Sequence, residues 1–227
     1  DFIDRDATSY AVMKPIYNRV DPPRYHVLGN HEFSVAPDKL KEVARLLGIR
    51  DRYYSFGSHG WRFLVLDGND LSLTAYPKGS RRYEESLAVY EALKQQGAPN
   101  ARTWNGAVGK GQLNWLDEQL READRKGEKV VVFCHFPVYP ENVHNLWNDT
   151  EVRQRLQAHR CVVAYMNGHN HAGNYGQEDG VHYLTLPGMV ETPDTTAYAT
   201  VHVEPDKLQV VGYGRTPSRV LKIRSSA

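Results

Sequence analysis

Four histidines stand where chemistry could be done: His31, His135, His169 and His171. Each comes shortly after an apolar run. Asn30 and Glu32 flank the first, and Asn170 separates the last two. Neutral imidazole nitrogen is the commonest side-chain metal ligand. A donor set of His, Asn and Asp without thiolate suits hard or borderline divalent ions such as Mn, Fe or Zn. A lone histidine after a strand is more often structural, and Asn30 by itself could be a turn residue. Two imidazoles two residues apart after a strand, as in Gly168-His169-Asn170-His171, rarely arise for packing. The other histidines, His26, His59, His144, His159, His182 and His202, read as surface or hydrogen-bonded structural residues.

The elements that must position these residues follow from hydrophobic periodicity. Tyr25 to Leu28, Lys129 to Cys134 and Cys161 to Met166 read as buried strands, each stopping just before a candidate donor. Tyr53 to Phe56 and Trp61 to Leu66 read as a hairpin about Gly57-Ser58-His59-Gly60. Helices are predicted over 37–47, 82–95, around Leu113, Leu116, Leu120 and Ala123, and over 150–159. Residues 97–111 read as a loop. Later strands are predicted over 182–186, 197–204, 207–212 and 220–223. Strand and helix alternate early and strands dominate late, which implies a mixed α/β protein. In open α/β sheets a ligand site lies outside the carboxyl ends of the strands. Three strands delivering His or Asn to one edge would form such a site.

Composition narrows the function classes. The 227 residues carry 28 Lys+Arg and 27 Asp+Glu, so the net charge is +1. That argues against nucleic-acid binding through bulk positive charge. No apolar run approaches the roughly 20 residues of a membrane helix, and no signal-peptide pattern is present. No membrane or nucleic-acid partner is expected. Cys134 and Cys161 read as reduced, buried thiols, which points to the cytoplasm. Gly106-Ala107-Val108-Gly109-Lys110-Gly111 lacks the spacing and the Ser or Thr of a phosphate loop. Cys134 beside His135 reads as a strand-end thiol and not a nucleophile. Asn148-Asp149-Thr150 is an accidental glycosylation sequon in a cytosolic protein.

Gly29-Asn30-His31-Glu32, Cys134-His135-Phe136-Pro137 and Gly168-His169-Asn170-His171, in that order, resemble the calcineurin-like metallophosphoesterase superfamily. Asp1-Phe2-Ile3-Asp4 matches its G-D-x-x-D motif from the aspartate onward. Trp104-Asn105-Gly106, Gln112-Leu113-Asn114-Trp115-Leu116, the Phe-Cys-His-Phe-Pro-Val-Tyr run and Val190-Glu191-Thr192-Pro193 are similar to the manganese-dependent ADP-ribose/CDP-alcohol diphosphatase branch. The resemblance implies a fold of two facing mixed sheets flanked by helices. It implies one domain over residues 1–227 that starts after the family's first strand and first metal motif. A chain starting at Asp1 is therefore expected to be catalytically poor.

The resemblance also implies roles. Asp1 would bridge two divalent ions, Mn foremost, with Fe or Zn as alternatives. Asn30, His135 and His169 would complete one site, and His171 would serve the other. His31 would assist the departing oxygen, and Glu32 and Asp4 would orient neighbours. Trp104, Asn105 and Tyr175 are candidates for substrate contact or for loop packing. The implied reaction is hydrolysis of the diphosphate in a small nucleoside-diphosphate-linked compound. The alternatives are a cyclic-nucleotide phosphodiesterase, a phosphoprotein phosphatase, or a metal-free scaffold that binds proteins. The sequence does not fix the oligomeric state.

Overall fold

The computed structural model describes residues 1–3 and 6–224. Its elements in chain order are α1 (Thr8–Tyr17), α2 (Val43–Leu47), β1 (Tyr54–Ser58), β2 (Trp61–Val65), β3 (Leu71–Ser72) and α3 (Arg81–Gln95). There follow β4 (Gly106–Ala107), α4 (Lys110–Lys126), β5 (Lys129–Phe133), α5 (Asp149–Ala158), β6 (Val162–Asn167), β7 (Asn174–Glu178), β8 (Val181–Thr185), β9 (Ala197–Val203), β10 (Lys207–Gly214) and β11 (Arg219–Lys222).

Six strands form one mixed sheet in the order β1-β2-β5-β6-β8-β7. The inner pairs β2·β5, β5·β6 and β6·β8 are parallel, and the edge strands β1 and β7 pair antiparallel. Buried parallel strands need apolar residues on both faces. The runs Lys-Val-Val-Val-Phe of β5 and Val-Val-Ala-Tyr-Met-Asn of β6 meet that need. Val130 and Val132 pack with Leu116 and Leu120 of α4 and with Leu156 of α5. Val131, Ala164 and Met166 pack with Leu208, Val210 and Leu221 on the opposite face. Those three belong to a second sheet, β11-β10-β9, antiparallel in both pairings. The layers are thus helices, a mixed sheet and a smaller antiparallel sheet. Because β2, β5, β6 and β8 run the same way, their carboxyl ends share one edge.

Several local expectations need correction. Tyr25 to Leu28 is not a strand. The segment runs beside β1 without ladder bonds. It is held by the Tyr54 hydroxyl donating to the His26 carbonyl at 2.8 Å and by Tyr25 stacked on Phe56 at 3.6 Å. The predicted helix over 37–47 divides into a 3-10 helix, Pro37–Glu42, and the short α2. Leu40, Val43 and Leu47 are still buried, so the apolar stripe survives the change of helix type. The expected loop over 97–111 contains β4, which pairs with β3, and the start of α4. Neither α1 nor β7 is anticipated. α1 carries Pro15 in its interior, and β7 is Asn-Tyr-Gly-Gln-Glu, without an apolar face. Among the described residues, no helix is long and apolar enough to cross a membrane.

Leu120 anchors α4 on the sheet and is 0% exposed. Leu120→Ala should cost about 2–5 kcal/mol through lost burial and a residual cavity. Urea unfolding checks this, and a loss below about 0.5 kcal/mol, the surface-site level, would contradict the packing described.

Candidate metal centre

The shared carboxyl edge gathers the candidate donors. β5 ends at Phe133 and delivers His135, and β6 ends at Asn167 and delivers His169. The two loops are tied by the Gly168 N–H, which donates to the His135 carbonyl at 3.0 Å. His169 sits at φ +63°, a left-handed conformation that is uncommon outside glycine and often found at functional sites.

Asn30 reaches the same edge although no strand precedes it. The Asn69 side-chain amide, four residues beyond β2, donates to the carbonyls of Leu28 and Gly29 at 3.3 and 3.2 Å. The Glu32 carboxylate is buried and accepts from the Gly29 and Phe2 N–H groups, and from that of Ile3 at 3.3 Å. One side chain therefore clamps the Asp1 segment to the Asn30 turn. A Cβ on Gly29 would lie 2.0 Å from Asp1 Oδ1, so this close approach requires glycine. Asp1 Oδ1 in turn accepts from the His31 backbone N–H at 3.1 Å. Asp4 lies outside the described residues.

The centre forms around one nitrogen. His135 Nε2 is 3.0 Å from His169 Nδ1, 3.1 Å from Asn30 Oδ1 and 3.4 Å from Asp1 Oδ2. Burial pushes the His135 imidazole well below the ordinary histidine range and His169 down to about 3. Both rings are therefore neutral at physiological pH.

The tautomer of His169 follows from Asn105. The Asn105 Nδ2 group donates to the Asn100 and Val143 carbonyls at 2.9 and 2.8 Å. Its Oδ1 is left to accept from His169 Nε2 at 2.9 Å. Nε2 must then carry the proton, and Nδ1 presents a bare lone pair to the centre. His171 is fixed similarly. Its Nδ1 donates to the Glu191 carboxylate, which can only accept, so Nε2 is the nitrogen left for a ligand.

A metal fits this set. Three acceptor atoms surround His135 Nε2, which can supply only one proton to them. Donors bound to one ion at about 2.0–2.2 Å stand roughly 3 Å apart, close to the spacings observed. Partners on the outer nitrogens, as Asn105 and Glu191 provide, are what metal-ligating histidines usually have. Among the described residues, no three His, Cys, Asp or Glu side chains already stand as an open cage. The donors instead touch one another directly, and one of the four is an asparagine.

The substrate candidates separate. Trp104 is exposed, with the Arg102 guanidinium 5.9 Å over its ring. Asn105 is 1% exposed with its amide fully engaged, so it has no group to offer a substrate and instead orients His169. The Tyr175 hydroxyl is tied to His182 Nδ1 at 2.9 Å, and its ring lies beneath Arg219. His182 is structural as expected, since its Nε2 donates to the Lys222 carbonyl at 2.8 Å. His144, read from the sequence as structural, has its ring 5.3 Å from that of His169. Asn69 and Glu191 are further members that the sequence did not single out for the site. The strand-end position of Asn69 hints at its place, and Glu191 lies in the Val190-Glu191-Thr192-Pro193 run that carries part of the resemblance. Cys134 is buried and its thiol is pushed up to about 11, so it stays protonated.

Comparison with known proteins gives the family. The sequence profile of the calcineurin-like phosphoesterases matches residues 1–173. The human manganese-dependent ADP-ribose/CDP-alcohol diphosphatase is 32% identical over 247 residues, covering 95% of this chain and 72% of its own length. The Mus musculus protein of that name is 34% identical over 233 residues, covering 89% of this chain and 68% of its own. A solved dimetal phosphatase from Danio rerio superposes with a TM-score of 0.84 at 27% identity, covering 96% of this chain and 77% of that one. The chain belongs to the calcineurin-like phosphoesterase family.

Proposed function

We propose that the chain hydrolyses the diphosphate bond of nucleoside-diphosphate-linked compounds, using divalent ions of which manganese is the foremost candidate. The observation that carries the proposal is the ring of acceptors about His135 Nε2. The relatives named manganese-dependent ADP-ribose/CDP-alcohol diphosphatases support the choice of metal and substrate. ADP-ribose would give AMP and ribose 5-phosphate, and CDP-choline would give CMP and phosphocholine.

Asp1, Asn30, His135 and His169 would hold one ion, and His171 would serve a second, with Asp1 shared between them. When bound, two such ions supply an activated hydroxide and offset the charge that develops in an in-line displacement. The residues do the rest. Asn30, a neutral oxygen donor, adds a ligand without adding charge. Asn105 and Glu191 hold His169 and His171 in the tautomers that face the centre. His31, next to Asn30 in the chain, would protonate or hydrogen-bond the departing oxygen. Trp104 offers an exposed ring to a base. Metal-competent residues at each matched motif position weigh against a metal-free scaffold.

Hydrolysis of ADP-ribose and CDP-choline with added Mn is the direct test. Activity confined to cyclic nucleotides or phosphoproteins would overturn the substrate assignment. His169→Ala and Asn30→Ala should each lose bound metal and turnover together, and full metal content with normal turnover in either would refute the ligand set. His31→Gln should lower kcat about 10²–10⁴-fold while metal content stays near normal. Metal loss in step with activity would make His31 a ligand. Asn105→Leu should weaken Mn affinity roughly 10–100-fold. Unchanged Mn affinity in this variant would remove Asn105 from the role.

A further inference from the structure

A cavity of about 300 Å³ is lined in part by the residues that follow the loop carrying His169 and His171. Its walls come from Ala172 and Gly173 after that loop, from the end of β8 and from the Arg215 to Arg219 turn between β10 and β11. Asp1, Asn30, His135 and His169 take no part in it. We propose that this cavity is a binding site for an oxyanion of the phosphate class.

Unmet hydrogen-bonding capacity is concentrated on its wall. The Nε atoms of Arg215 and Arg219 and the hydroxyls of Thr185 and Thr216 are all buried without a partner. Buried polar groups are nearly always satisfied, so each exception calls for a ligand, a water or an ion. All four residues line the one cavity, and no acidic side chain lines it. Both arginines are half-buried, and water could satisfy the donors without offsetting their charge. An anion satisfies the donors and the charge together.

Guanidinium donors favour an oxyanion over a single point charge. Guanidinium groups present planar forks suited to paired oxygens of phosphate or carboxylate. Arg219 is braced by the Tyr175 ring, 4.5 Å below its central carbon. Arg215 is anchored by its donation to the Gly188 carbonyl, while the Gly188 N–H donates to the His171 carbonyl at 3.0 Å. Leu184, Leu186, Pro187 and Pro217 leave the remaining wall apolar. A phosphate carrying a small organic part is thereby accommodated as well as free phosphate. The inference stands apart from the metal reading, because its donors are different residues.

The test is calorimetric titration of the full chain with inorganic phosphate in the presence of EDTA, against chloride at equal ionic strength. EDTA removes any contribution from bound metal. Wild type and His169→Ala should bind phosphate alike and gain thermal stability. Arg219→Gln should bind roughly 10–100-fold more weakly, the loss of a charge-assisted hydrogen bond. Thr216→Val, which removes a donor without touching charge, should weaken binding less. No phosphate binding by wild type, or equal binding by wild type and Arg219→Gln, would overturn the proposal, and the first outcome needs no variant to fold. Kinetics of metal-loaded Arg219→Gln then separate the sources. A raised KM for ADP-ribose at unchanged kcat assigns the anion to the substrate. An unchanged KM with lost phosphate binding assigns it to free phosphate or a monoester.

Discussion

Two imidazoles can face each other at 3.0 Å only if they do not both carry charge. His135 and His169 meet this constraint because burial holds both neutral. The rest of the centre depends on it. Protonation of both rings would set two cations in contact, and a ring protonated on both nitrogens has no lone pair for a ligand. Neutrality also makes the tautomer matter, since each ring then has one donor and one acceptor nitrogen. Asn105 settles the matter for His169, and Asn105 is itself settled by two backbone carbonyls 5 and 38 residues away. The loop over 100–106 is thus part of the centre even though it contributes no inward-facing donor.

The parallel sheet supplies the frame for those contacts. The core strands β5 and β6 are buried on both faces, and their loops project beyond one edge. Asp1 and Asn30 lack that support and depend on polar clamps instead. Glu32 and Asn69 bind the backbone of the two segments, and Arg52 reinforces Asn69 by donating to its carbonyl at 3.0 Å and pairing with Asp67 at 2.6 Å. Half of the donor set therefore rests on hydrophobic packing and half on buried hydrogen bonds. Buried polar networks hold their geometry when fully satisfied and are costly when broken.

The parts of the protein legible in the sequence are those dictated by local pattern. The apolar runs of β5 and β6 and the stripe Leu113, Leu116, Leu120 and Ala123 of α4 could be placed from periodicity alone. Gly168-His169-Asn170-His171 pointed to a metal because packing gives no reason for that spacing. Tyr25 to Leu28 has the same local look as a buried strand, yet strand status requires a partner in register, which local pattern does not reveal. The role of Asn105 was hidden for a related reason: its contact with His169 spans 64 residues. His144 and Glu191 likewise reach the centre through tertiary contacts. The Arg215–Arg219 cavity left no motif at all, because its walls come from separate turns.

The central claim is that the acceptors around His135 Nε2 are arranged for a cation. Crystals of the protein soaked in Mn, with anomalous differences measured near the manganese edge, test it most directly. The account predicts a peak within about 2.2 Å of Asp1 Oδ2, Asn30 Oδ1, His135 Nε2 and His169 Nδ1, with His169 Nε2 still on Asn105. No manganese peak among these four atoms, or His169 ligating through Nε2, would contradict it.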